Sequence, residues 1–176
     1  GGRCVVDIIG AGVIPSGMEM MDKAAIHAAE DFCDAGYPLD VEALLIVELD
    51  GPKIEVDHLL QRVEEIATSC GAINIRASKN EKERLKFWEG RKAAFPAVGR
   101  ISPDYYCMDG TIPRARLPEV LARMTDLSDK YKLRVANVFH AGDGNLHPLI
   151  LYDANKPREL ERAEKFGADI LKLCVE

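Results

Sequence analysis

Two apolar runs, Leu133–Phe139 and Leu146–Tyr152, stand on either side of Asp143-Gly144. An Asp-Gly pair in that setting is the strongest short-range hairpin signal, because both central turn residues must accept positive φ. With Asp143 and Gly144 at the centre, Gly142 faces Asn145, Ala141 faces Leu146 and His140 faces His147. Directly opposed residues point to one face, their Cβ atoms about 4.5–5.5 Å apart. Two imidazoles placed in this way can share one divalent cation. A one-residue slip would break that pairing. The plainer reading makes the two histidines half-buried side chains bonded to backbone, since two ligands do not make a metal site. The loop shifts the balance towards ligation. Gly142 and Gly144 leave room for a close approach, and Asp143 and Asn145 add polar groups able to hold an imidazole in one tautomer. Pro148 has no N–H to donate, which places it on an edge strand or in a distorted segment.

A chain of 176 residues is one domain, or a domain with a small appendage. The net charge of −6 argues against nucleic acid and against an anionic membrane surface as partners. A small acidic substrate would then need local positive charge from an arginine or a metal. The five cysteines are odd in number and scattered, with no Cys-x-x-Cys, which fits reduced thiols in a cytoplasmic protein. There is no signal peptide pattern and no apolar run of bilayer-spanning length. Gly1-Gly2 is an abrupt start and the last helix runs to Glu176 without a stop signal, so the chain reads as a piece of a longer polypeptide.

Taken in order, residues 3–11 read as a helix end closed by Gly10 or Gly12, not as a dinucleotide fingerprint, because the third glycine is missing. Ser16–Met21 reads as a short strand, with a helix starting at Ser16 as the alternative, and Asp22 as the N-cap of a helix through Asp34. Glu42–Leu49 reads as a largely buried strand. Lys53–Cys70 is an amphipathic helix, with Ile54, His58 or Leu59, Val63, Ile66 and Ala67 inward. Ala72–Ala77 alternates like a strand. Asn80–Ala94 is a helix that breaks at Pro96, bracketed by Arg91 and Arg100. Such a break lets a guanidinium point into a cleft, and arginine is the preferred bidentate partner of a carboxylate. Tyr105–Ile112 is a strand interrupted at Gly110, Leu117–Tyr131 a helix, and Pro157–Glu176 the last helix. This order points to an α+β fold of ferredoxin-like type, an antiparallel sheet with helices packed on one face.

Three stretches carry a resemblance: Phe87–Pro96 (Phe-Trp-Glu-Gly-Arg-Lys-Ala-Ala-Phe-Pro), Gly99–Pro113, and His140–His147. With Glu19–Asp22 and Val47–Gly51, they are similar to the FAD-linked subunits of bacterial glycolate oxidases. The wider family is the FAD-linked oxidases with a C-terminal substrate-cap domain, which includes D-lactate and D-2-hydroxyglutarate dehydrogenases. The resemblance spans essentially residues 1–176. It implies oxidation of a 2-hydroxy acid, glycolate or D-lactate, to the 2-oxo acid by hydride transfer to FAD. It implies that His140 and His147 bind a divalent metal such as Zn or Mn, that Arg91 grips the substrate carboxylate, and that Asn145 lies towards the cofactor. Sister flavin-domain and iron–sulfur subunits are implied as partners, placed peripherally at the inner membrane.

Measured against that family, the N-terminal FAD-binding domain and a C-terminal Gly-Glu-His-Gly segment with a further ligand are missing. The chain alone is therefore expected to fold but not to turn over, and to pair with a second copy through the face the missing domain would cover. The competing reading is a non-catalytic ferredoxin-like domain that binds a small molecule or regulates, with the histidines structural.

Overall fold

The computed structural model describes residues 1–175. Among these residues seven short strands form one antiparallel sheet, with six α-helices around it. The strands are β1 (Gly17–Asp22), β2 (Ala43–Glu48), β3 (Asp104–Cys107), β4 (Gly110–Thr111), β5 (Val135–His140), β6 (Asn145–Leu146) and β7 (Pro148–Tyr152). β2 lies at one edge, followed by β1 and then β5. β5 pairs on its other side with β6 and β7, two parts of one run that parts at His147. Beyond them lie β4 and β3, which part at Met108 and Asp109. Pro148 thus falls at a distortion, as a residue without an N–H should.

The α+β class and the antiparallel sheet are those the sequence order implies, but helices cover both faces of the sheet and not one. Strand side chains alternate between faces. Met18, Met20, Phe139, Leu146 and Ile150 enter a core with α1 (Gly2–Gly10), α5 (Leu117–Tyr131) and α6 (Glu159–Val175). Met21, Ala136, Val138, Leu149 and Leu151 enter a second core with α2 (Lys23–Cys33) and α4 (Glu81–Val98). β1 and β5 are buried on both faces, which explains why Gly-Met-Glu-Met-Met-Asp does not alternate.

Asp22 caps α2: its Oδ1 accepts from Ala25 N at 3.0 Å. Its Oδ2 accepts from Asn137 N at 2.9 Å and Asn137 Nδ2 at 2.8 Å, so the cap also ties α2 to β5. Burial pushes this carboxyl above the usual range, against the pull of those bonds. α5 begins with Pro118 in its first turn, as the sequence requires.

Several expectations change. Ala72–Ala77 forms no strand; it is irregular and exposed, with Ile73 73% accessible. Alternation describes half-buried pairing, and this segment has no ladder partner. β2 is half-buried, not largely buried. Ile54 lies outward at 85% exposure on α3 (Lys53–Ser69), leaving Val63 as that helix's buried residue. α4 does not break before Pro96 but runs through it to Val98. Glu176, the expected last position of the final helix, lies outside the described residues.

Candidate functional site

His140 ends β5, and Glu19 stands directly opposite it on β1. His140 Nδ1 lies 2.8 Å from Glu19 Oε1. The other oxygen of the same carboxylate, Oε2, accepts from Arg91 Nε at 3.0 Å and lies 2.9 Å from Arg91 Nη2. Glu19 and Arg91 are each only 8% exposed. A buried carboxylate and guanidinium are tolerated because each neutralises and hydrogen-bonds the other.

Arg91 reaches this position from α4, and Tyr37 sets the helix there. The Tyr37 hydroxyl donates to Phe87 O and accepts from Arg91 N at 3.0 Å. It therefore stands between a carbonyl and an amide four residues apart, which an α-helix would join directly. Gly90 makes this possible, since a Cβ there would collide with the Tyr37 ring. Burial pushes the Tyr37 hydroxyl up to about 12.

His147 sits where β6 and β7 part, and its Nδ1 is paired with Asp109 Oδ1 at the break between β3 and β4. The ring meets Phe95 edge-on, with centroids 6.0 Å apart. The two imidazoles meet each other: their centroids are 4.9 Å apart with planes at 86°. His140 is 43% exposed in its side chain and His147 15%, so the pair opens at the surface.

The juxtaposition holds while the register behind it differs. His140 faces Asn145 and Asn137 faces Pro148, so the pairing is shifted by two residues from the one centred on Asp143-Gly144. The turn is longer: Gly144 N and Asp143 N both donate to His140 O, at 3.1 and 3.4 Å. Gly144 has φ +81, and Asp143 is not among the positive-φ residues. A shift of two keeps every side chain on its face, so the rings meet diagonally. Asn145 lies beside the pair, its backbone N–H donating to Asp143 Oδ1 at 2.9 Å.

Arg100 does not join the site. It lies on α2 instead, with Nη1 3.1 Å from Asp31 Oδ2 and the guanidinium 5.0 Å over the Phe32 ring. The sequence reading missed Glu19 and Asp109 as members of the site. Glu19 carried a usable signal, a lone acid in the apolar run Met18–Met21. Asp109, 75% exposed in its side chain, carried none.

The donor set fits half of a metal site. Both Nδ1 atoms engage carboxylates, which leaves both Nε2 atoms as ligand positions. Among the described residues no group of three or more His, Cys, Asp or Glu is placed to hold an ion. A cavity of about 610 Å³ lies elsewhere, between β2, α3 and residues 71–78, and Glu19, Arg91, Asp109, His140 and His147 do not line it.

The architecture is that of one domain shared by larger solved proteins. p-Cresol methylhydroxylase superposes with a TM-score of 0.64 at 14% identity, over 97% of this chain and 40% of that one. Alkyldihydroxyacetonephosphate synthase gives 0.64 at 15% identity, over 98% and 36%. The chain belongs to the family described as FAD linked oxidases, C-terminal domain, whose model matches residues 1–176. It is 61% identical to the glycolate oxidase subunit GlcD of Escherichia coli (strain K12), over 99% of this chain and 35% of the relative. It is 32% identical to GlcD of Bacillus subtilis (strain 168), over 99% and 37%. It is 30% identical to a probable mitochondrial D-lactate dehydrogenase of Danio rerio, over 92% and 32%. The chain thus spans about a third of the length of these curated relatives.

Proposed function

We propose that this chain is the substrate-side domain of a flavin-dependent 2-hydroxy-acid dehydrogenase that oxidises glycolate to its 2-oxo acid. The supporting observation is the row Arg91–Glu19–His140–His147–Asp109, a cation and two imidazoles gathered at one surface-open place. Its likeness to GlcD over 99% of its length supports glycolate over D-lactate. FAD, held mainly by a domain elsewhere in the longer protein, supplies the hydride acceptor, and a divalent ion such as Zn or Mn supplies a Lewis acid where one binds.

The chain's own residues bind and orient. Two Arg91 nitrogens are on Glu19, and Nη1, which takes no hydrogen bond among the described residues, is the donor left for a substrate carboxylate. His140 and His147 would meet the 2-hydroxyl through Nε2, the ring nitrogens not turned to Glu19 and Asp109. Fixing both ends of so small a substrate sets C2 for transfer. Asn145, beside the turn, would lie towards the cofactor, as the family resemblance implies. The word "subunit" in the relatives' names supports work in an assembly, with sister flavin-domain and iron–sulfur subunits taking the electrons onward.

The test uses the full-length protein and glycolate-dependent dye reduction. His140→Ala and His147→Ala should each lower kcat/KM by about a hundredfold. Arg91→Met should raise the KM for glycolate about ten- to hundredfold, the loss of one charge-assisted bond. Unchanged turnover in both histidine variants would remove the histidine pair from the reaction.

A further inference from the structure

We infer that Glu19 is a positioning residue that fixes the His140 imidazole in the Nδ1–H form and sets Arg91 with the same carboxylate. The inference rests on the reading of His140 and His147 as the pair that faces the ligand. Glu19 is not among the residues that the sequence reading assigned to the site.

An ionised carboxylate can only accept. Glu19 Oε1 holds His140 Nδ1 at 2.8 Å, so Nδ1 must carry the proton there. In a neutral imidazole the lone pair then lies on Nε2. The His147 ring stands beside it, with centroids 4.9 Å apart. A ring with its proton on Nε2 would offer a donor in place of a ligand.

Glu19 does more than this. Its Oε1 serves His140 and its Oε2 serves two nitrogens of Arg91, so both oxygens are committed. The guanidinium and the first imidazole cannot move independently while that carboxylate joins them. Their relative position is what a substrate with a carboxylate and a neighbouring hydroxyl would read. Burying this ion pair is a poor way to gain stability, because similar apolar packing does as well or better. Its directly opposed place on β1, across from His140, gives it a geometric use.

Neutral amides test the assignment, because an amide can donate where a carboxylate cannot. The readout is the ring-nitrogen tautomer in long-range ¹H–¹⁵N spectra of the full-length protein labelled at histidine. The wild-type protein should carry its proton on Nδ1 at His140. Glu19→Gln should move it to Nε2, since the amide oxygen stays with Arg91 and its NH₂ turns to His140, whereas Asp109→Asn should leave His140 as it was. Zn²⁺ affinity, measured by calorimetry, should fall about 10–100-fold in Glu19→Gln.

Glu19→Gln leaves Arg91 buried without a carboxylate and can fail to fold. The companion Glu19→Leu with Arg91→Met removes both charges, and in it His140 should lose its single tautomer. A wild-type proton on Nε2 of His140, or a tautomer unmoved by the Glu19 substitutions, would overturn the assignment. The readout needs no turnover, so it stands apart from failure of the glycolate reading, which the histidine variants detect.

Discussion

Tyr37 shows how one side chain sets the geometry of another two elements away. Its hydroxyl stands between Phe87 O and Arg91 N, so the pitch of α4 at Arg91 depends on a residue outside the helix. Tyr37→Phe should remove both of these bonds and leave Phe87 O and Arg91 N to each other, at a cost of about 1 kcal/mol. It should also raise the KM for glycolate by shifting Arg91 relative to Glu19. The hydroxyl's ordinary value is 10.0, and burial pushes it up to about 12 in the folded chain. A group raised in this way lends its full stability below its unfolded value and loses it as pH rises through the folded one. Wild-type stability should therefore drop between roughly pH 10 and pH 12, by at most about 2–3 kcal/mol from this residue. Chemical denaturation at pH 9 and pH 12 should show a smaller drop in Tyr37→Phe, and an equal drop would exclude Tyr37 as its source.

Elements were legible where the local signal and the tertiary setting agree. The strand at Gly17–Asp22, the helix at Leu117–Tyr131 and the Asp22 cap all follow from local chemistry that the fold leaves intact. The hairpin was legible as a hairpin but not in its register. Asp143-Gly144 signals a two-residue turn needing positive φ twice, whereas the chain uses it once, at Gly144, in a longer turn. The histidines still meet because a shift of two respects the period of the strand. Ala72–Ala77 has the pattern of a strand and no neighbour to pair with, which no local pattern reveals. Glu19 was hidden for the opposite reason, since its two partners lie 72 and 121 residues away. Asp22 belongs to this scale because it joins α2 to β5. Asp22→Ala removes a cap and strands two Asn137 donors, so it should cost about 2–3 kcal/mol. A measured loss below 1 kcal/mol in urea unfolding would mean that the cap alone, or neither, matters.

The whole molecule has one sheet and two cores, and β5 belongs to both. Ala136 and Val138 pack under α2 and α4, while Phe139 packs under α5 and α6. The site is built at the end of this strand, from His140 on β5, Glu19 on β1 and Arg91 on α4. β5 thus joins both cores to the site. Trp88, the single tryptophan, lies on α4 beside Gly17 and reports from one side of the sheet. Phe166 lies on α6 in the other core, fully buried and stacked on Tyr131 with centroids 5.4 Å apart. Phe166→Ala leaves a cavity and should cost about 3–5 kcal/mol. If the two cores form one cooperative unit, Trp88 fluorescence should report that loss from across the sheet. Its urea midpoint should fall together with the midpoint from far-ultraviolet circular dichroism, with one slope for both probes. A Trp88 midpoint left at the wild-type value while the dichroism midpoint falls would mean that α4 and its face hold without α6. The site would then owe its geometry to the α2–α4 side alone.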